Sequence, residues 1–265
     1  MFLDTHITNF CNLDCRHCYL EDKNTMHMDL GVLKDLAKQY SELNGNSIVI
    51  SGGEPSLHPN IKEIIEYIHE LGLKISFISN GNNYKNIVSY LDNDDTYQIS
   101  IDGNEFMHDW LRGMGSFETA TSALEEADKQ GINKGFMFTV HEGNKFYVKH
   151  VIKKVFYKYN CDNMSLTNYI DHEHKFSVLK ETNAKEFFNL LSYAYRLSNQ
   201  SYRKKCYEKL DGCVAGVKGC SILPDGTYWD CSRNQKIIGK YPDKLEEVLT
   251  LGENIDPANT CAEGE

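Results

Sequence analysis

Three cysteines stand close together near the start of the chain, as Cys11-Asn-Leu-Asp-Cys15-Arg-His-Cys18. They fall in the loop expected directly after the first strand. Three thiolates on one short loop can converge on one metal centre. In a four-iron cube, three protein ligands leave one iron open, which is what a chelating substrate needs. A zinc knot is the other chemistry such a loop could serve. Structural zinc wants four closed ligands, however, and His17, next to Cys18, supplies a fourth only awkwardly. Directly after the second expected strand comes Ser51-Gly52-Gly53-Glu54-Pro55. Two glycines expose backbone groups for close approach by a ligand, and Glu54 offers a carboxylate to a cation such as an amino group. Alone, this is an ordinary strand-to-helix loop. One unit after a cysteine trio, it points to a binding site.

Six further cysteines, at 161, 206, 213, 220, 231 and 261, leave an odd total of nine, which argues against a fully paired disulfide framework. In a reducing compartment, clustered cysteines are more often metal or redox groups than structural bridges. The 265 residues are 41% hydrophobic and 25% charged, enough for a buried core without staples. A net charge of −10 gives no electrostatic reason for a polyphosphate partner, so no nucleic acid is expected. No apolar run approaches the ~20 residues of a membrane span. Residues 1–10 lack the basic start and apolar stretch of a signal peptide. A cytoplasmic protein with no membrane partner is expected.

Strand and helix alternate in the pattern that must position these motifs. Strands are expected at Leu3–Thr8, Ser47–Ser51, Lys74–Ser79, Tyr97–Asp102, Lys134–His141 and Asn163–Asp171. Helices are expected at Leu30–Leu43, around Ile61–Ile68, and at Phe117–Gln130, Asn144–Tyr159 and Ala184–Ser198, from apolar residues recurring at three- and four-residue steps. Six strand–helix units predict an α/β fold with a parallel sheet and outer helices. The working loops then lie at the C-terminal ends of the strands. Periodicity does not distinguish a partial barrel from an open sheet. After about residue 200 the pattern changes, which divides the chain into domains 1–200 and 201–265. Pro224-Asp225-Gly226 predicts a hairpin between Cys220–Leu223 and Thr227–Cys231, followed by a short helix at Lys244–Leu251. A two-residue turn sets Cys220 opposite Cys231; a three-residue turn points Cys220 elsewhere. The segment is too poor in apolar residues for a core of its own.

The sequence resembles the radical S-adenosylmethionine superfamily, which places a CxxxCxxC loop after its first strand and a GGEP-like motif after its second. The resemblance implies a partial (β/α)6 TIM-like barrel and a 4Fe-4S cluster chelated by the amino and carboxylate groups of S-adenosylmethionine. By position, Cys11, Cys15 and Cys18 would ligate the cluster, and Gly52, Gly53 and Glu54 would receive the amino end. Ser79 and Asn80 would contact the ribose, Ser100 and Arg112 the carboxylate, and Asn144 the adenosine. On local context Arg112 reads equally as a surface arginine, although a planar guanidinium suits a carboxylate bidentately. Cys213-x12-Gly226-x4-Cys231 is similar to the opening of SPASM and twitch domains, as are Ile238-Gly239-Lys240 and Leu245-Glu246-Glu247-Val248 after it. That similarity implies an auxiliary iron–sulfur cluster on Cys213, Cys231 and Cys261. Its fourth ligand is left open between Cys206, Cys220, a non-cysteine group and the substrate. Cys161 is expected to be a packed core thiol.

At the end of the sixth strand, Asp171 or His172 could take a proton from a substrate radical, though a solvated loop would also account for them. The Ser100-Ile-Asp-Gly and Arg112-Gly113 segments resemble those of peptide-modifying members. The expected function is therefore radical modification of a ribosomally made peptide: a cross-link, a thioether or an epimerisation. An electron donor such as flavodoxin or ferredoxin is implied. The chain begins at its first strand, so no separate leader-binding domain is expected ahead of the barrel. The alternatives are a radical dehydrogenase acting on a small molecule and a non-catalytic iron–sulfur or zinc protein.

Overall fold

Asp29 opens the first helix by accepting the backbone N–H groups of Gly31 and Val32 at 2.8 and 3.1 Å, the usual work of an N-cap carboxylate. The helix, α1 (Leu30–Glu42), buries Leu33, Leu36, Ala37 and Tyr40, one stripe at helical spacing. The computed structural model describes residues 2–20, 23–170, 179–197, 219–230 and 235–251. The chain divides into two compact units. Its strands are mostly parallel and the sheet is not closed, which is the α/β class expected.

The first unit comprises Met1–Cys11, Asp22–Ile78 and Leu210–Glu265. Its strands are β1 (Phe2–His6), β2 (Ser47–Ser51), β3 (Lys74–Ser79), β7 (Gly219–Ile222), β8 (Thr227–Trp229) and β9 (Ile237–Lys240). They lie in the order β3-β2-β1-β7-β8-β9, with the last two antiparallel. Leu3 stands level with Ile48 on one side and Cys220 on the other, and all three are buried. Helices α1 and α2 (Ile61–Glu70) are joined by α8 (Leu245–Leu251), whose first N–H donates to Gln39 of α1 at 2.9 Å. The apolar residues of the C-terminal segment, including Ile222, Tyr228, Leu245 and Val248, are thus buried in a unit they share with β1. The strand β9 was not anticipated.

The second unit comprises Asn12–Glu21 and Ser79–Lys209. It holds β4 (Thr96–Ser100), β5 (Asn133–Val140) and β6 (Asn163–Asn168), all parallel. Its helices include α3 (Tyr84–Tyr90), α4 (Glu105–Arg112), α5 (Ser116–Lys129) and α7 (Ala184–Leu197). Neither α3 nor α4 was expected. The helix expected over Asn144–Tyr159 is built of three pieces: a 3-10 turn at Lys145–Tyr147, one α-turn, α6 (Val148–Val151), and a π segment at Ile152–Phe156. Among the described residues no helix is long and apolar enough to cross a membrane.

Candidate functional site

In the first unit, the chain leaving β1 is gripped from two sides before it reaches Cys11. On one side the ladder with β2 runs on past both strands. Gly53 N–H donates to Thr8 O at 2.7 Å and Glu54 N–H to Phe10 O at 2.8 Å. On the other side, Asn9 N–H donates to Met26 O at 3.0 Å, and Thr8 Oγ1 lies 2.9 Å from His27 Nδ1. This close packing explains the two glycines. A Cβ on Gly53 would fall 2.3 Å from Phe10 O, and one on Gly52, whose φ is +134°, would fall 2.4 Å from Thr8 O. The close approach they permit here is that of the chain's own backbone. Gly53→Ala should therefore cost about 1–3 kcal/mol through forced backbone displacement. Thermal melting of the cluster-free chain would show it, and an unchanged melting temperature would contradict it. Glu54 is fully buried and caps the short turn Pro55–Leu57, accepting Ser56 N–H at 3.1 Å. A carboxylate so placed gains much from a cationic partner.

In the second unit, Cys15 and Cys18 are joined by a tight turn, with Cys18 N–H donating to Cys15 O at 3.1 Å. Between them, Arg16 fastens the turn to the end of α4. Its N–H donates to Leu111 O and its Nε to Trp110 O, each at 2.8 Å, and its guanidinium lies 4.7 Å from the Trp110 ring centre. The last residue of that helix is Arg112. Its Nε donates to Asp102 at 2.5 Å. Burial works against the Arg112 charge. The Asp102 carboxylate, with Cys15 and Cys18 also contributing, more than offsets this and holds the guanidinium above its ordinary value. Asp102 itself is fully buried. Desolvation opposes its charge, yet Arg112 and His17 hold it far below the usual carboxylate range. His17 Nε2 lies 3.2 Å from the same carboxylate oxygen that Arg112 holds.

Two more buried histidines stand around Asp102. His108 Nδ1 accepts the Asp102 N–H at 3.2 Å, and His141 Nδ1 accepts the Gly143 N–H at 3.0 Å. A ring nitrogen that accepts carries no proton, so each ring bears its hydrogen on Nε2. Neither Nε2 has a partner among the described residues. Burial and then Arg112 push the His108 pKa down to about 3; burial and then His17 push that of His141 down to about 4. Both rings are neutral at pH 7.

A model of the radical SAM superfamily matches residues 5–155, more than half of the 265. The chain belongs to the radical SAM superfamily. AlbA, the antilisterial bacteriocin subtilosin biosynthesis protein of Bacillus subtilis, is 26% identical over 251 residues, covering 85% of this chain and 53% of that protein. Fe-coproporphyrin III synthase of Methanosarcina barkeri is 29% identical over 154 residues, covering 52% of this chain and 37% of that protein. Streptococcus suis SuiB bound to S-adenosylmethionine superposes with a TM-score of 0.74 at 18% identity, over 89% of this chain and 62% of that one. SuiB bound to precursor peptide SuiA gives 0.76 at 17%, over 94% and 64%. The chain thus spans about a third to a half of the length of these curated relatives. The structural match shows the fold, an open partial barrel.

Radical SAM proteins use a 4Fe-4S cluster and S-adenosylmethionine. The donor set here suits both. Cys11, Cys15 and Cys18 are in no disulfide and are partly exposed. Among the described residues no three His, Cys, Asp or Glu side chains close on a single-ion site. Among the described residues Arg112 has one side-chain hydrogen bond, through Nε, and a guanidinium in that state has donors left that suit a carboxylate. Ser100 ends β4, half-buried, level with Met137. Ser79 Oγ accepts Gly81 N–H at 2.9 Å, and Asn80 Nδ2 donates to Asn12 of the cysteine loop at 2.9 Å.

Asn144 is fully buried in the turn after β5. Its amide donates to Asp102 O and Thr139 O, at 3.0 and 2.9 Å, and accepts His141 N–H at 2.8 Å. It shapes the turn after β5. Asp102 and its histidines were missed, although Asp102 lies within the Ser100–Gly103 segment noted for its serine. Asp171, His172, Cys206, Cys213, Cys231 and Cys261 lie outside the described residues. Of the two hairpin turns, the three-residue one forms, with Leu223 N–H donating to Thr227 O. Cys220 is fully buried, its thiol pushed up to about 12 by burial and then by Asp4. It packs as a core residue. Cys161 does the same, its thiol pushed up to about 12 chiefly by burial.

Proposed function

We propose that this chain holds a 4Fe-4S cluster on Cys11, Cys15 and Cys18, cleaves S-adenosylmethionine reductively, and directs the resulting chemistry to a ribosomally made peptide. The observation that carries the cofactor half is the joining of the Cys15–Cys18 turn to the end of the helix that presents Arg112. When bound, the cluster and S-adenosylmethionine supply a 5′-deoxyadenosyl radical able to remove hydrogen from a carbon that no ordinary base activates. The chain's own residues bind and orient. Arg112, with Ser100, takes the carboxylate end of the cofactor. Glu54, with the Gly52–Gly53 backbone, takes the amino end. Ser79 and Asn80 meet the ribose, and the turn held by Asn144 borders the adenosine. Asp171 or His172 accepts a proton from the substrate, and a flavodoxin- or ferredoxin-type donor supplies the electron. Residues 201–265 carry an auxiliary cluster on Cys213, Cys231 and Cys261.

The peptide half is supported by AlbA, a bacteriocin biosynthesis protein whose match extends over 85% of this chain, and by a fold shared with a protein solved with its precursor peptide. A small-molecule substrate is the second reading, favoured by the Fe-coproporphyrin III synthase match. Anaerobically reconstituted protein, given S-adenosylmethionine and a reductant, should form 5′-deoxyadenosine. A short peptide encoded beside the gene should then change mass in parallel, by loss of two hydrogens for a cross-link. Absence of 5′-deoxyadenosine would refute the cofactor reading. Its formation with every such peptide unchanged would favour the small molecule.

A further inference from the structure

Asp102 is buried with no side-chain exposure, and each of its polar groups is engaged. Its Oδ1 accepts the Thr139 N–H of β5 at 2.7 Å, and its Oδ2 meets Arg112 Nε at 2.5 Å and His17 Nε2 at 3.2 Å. Its own N–H donates to His108, and its carbonyl accepts from Asn144. A carboxylate taken this far from water costs several kcal/mol unless its partners are close and well aligned. Here three residues from separate places in one unit supply them to the carboxylate, and two more, His108 and Asn144, hold the Asp102 backbone. Arg112 is the member that is always charged. It ends α4, and Gly113 follows with φ +116°, so the helix stops there. Among the described residues its guanidinium has no side-chain hydrogen-bond partner besides Asp102. A planar guanidinium held through Nε keeps a fixed plane and still has its outer edge, formed by the two terminal nitrogens, to offer a second carboxylate.

We propose that Asp102 is the positioning residue of the cofactor's carboxylate subsite. It holds Arg112 by Nε so that the terminal nitrogens present a fork to the carboxylate of S-adenosylmethionine, and through His17 it ties the cysteine turn to the same anchor. This rests on the reading that Arg112 takes that carboxylate. A rival role makes the opposite prediction. If Asp102 merely competed for the positive charge of Arg112, neutralising it would tighten cofactor binding.

Asp102→Asn separates the two. An amide has one accepting oxygen, so it must turn an NH2 group toward either the Thr139 N–H or the Arg112 Nε, and one of those bonds is lost. S-adenosylmethionine affinity would be measured on reconstituted protein by the change it causes in the spectrum of the reduced cluster. Asp102→Asn should weaken binding about tenfold or more, as Arg112→Ala should. The double variant should bind within about twofold of Arg112→Ala, because both substitutions remove one contact. A second readout needs no cofactor. Arg112→Ala strands a buried carboxylate and should lower the melting temperature of the cluster-free chain, and adding Asp102→Asn should recover part of that loss. Binding by Asp102→Asn as tight as the parent's, or tighter, would overturn the proposal. So would full additivity in the double variant. A parent that folds and carries its cluster but binds no S-adenosylmethionine would instead sink the underlying reading. The melting experiment would still decide whether the two residues act as a pair.

Discussion

Replacing Cys11, Cys15 and Cys18 together by alanine should abolish 5′-deoxyadenosine formation while leaving the fold in place. The loss should be complete because the thiolates are the only protein ligands proposed for this cluster, and no partial site remains to bind iron. The fold should persist because the loop is held by backbone hydrogen bonds and by Arg16. Its approach is fixed by the hydrogen bonds from Gly53 and Glu54 to Thr8 and Phe10, and its turn by Arg16 against Trp110 and Leu111. None of the three is in a disulfide, and each is only partly buried. Truncating each to alanine therefore removes little packing. Circular dichroism and thermal melting of the cluster-free variant should match the cluster-free parent, and iron analysis should show one cluster lost. Undiminished 5′-deoxyadenosine formation would refute the assignment. Collapse of the apo fold would show that the thiols themselves hold the loop.

The second large effect concerns the C-terminal cysteines. Cys213→Ala/Cys231→Ala should lower the iron of fully reconstituted protein from about eight per chain to about four, counting four per cubane cluster. The variant should still cleave S-adenosylmethionine, since the first cluster is untouched, yet leave its substrate unmodified. The sequence of this segment is too poor in apolar residues for a core of its own. The structure shows the core it shares. β7 adds to β1 in parallel, Tyr228 and Val248 are buried, and Tyr241 reaches Asp35 of α1 at 3.3 Å. The segment borrows the core of its unit, so the hairpin should survive loss of the cluster. That makes the variant a clean test of the cluster's role. Zinc is the serious rival, because thiolates on a hairpin and tail suit it as well. A parent with one cluster's iron plus zinc that is lost in the variant would decide for zinc.

The sequence by itself determined the features that depend on near neighbours. The stripe of Leu33, Leu36, Ala37 and Tyr40 specifies α1, and the run Ser47–Ser51 specifies β2, because the periods 3.6 and 2 are properties of one segment's own backbone. The spacing of Cys11, Cys15 and Cys18 was legible for the same reason, and with the motif after β2 it named the superfamily. Elements whose stability comes from elsewhere were not legible. The eight-residue α4 leaves Phe106 and Trp110 exposed and is fixed by its Asn104 cap and its junction with the cysteine turn. β9 exists because β8 offers it an edge. The reason for Gly52 and Gly53 also came only from tertiary structure: their missing Cβ atoms make room for a backbone stretch more than 40 residues earlier in the chain. Asp102 is the sharpest case. An aspartate before a glycine reads as a turn, and nothing local distinguishes it. Its importance lies in Thr139, His17 and Arg112, three partners that only the folded chain brings to one buried carboxylate. Charge in a dry interior must find its partners through space rather than along the sequence.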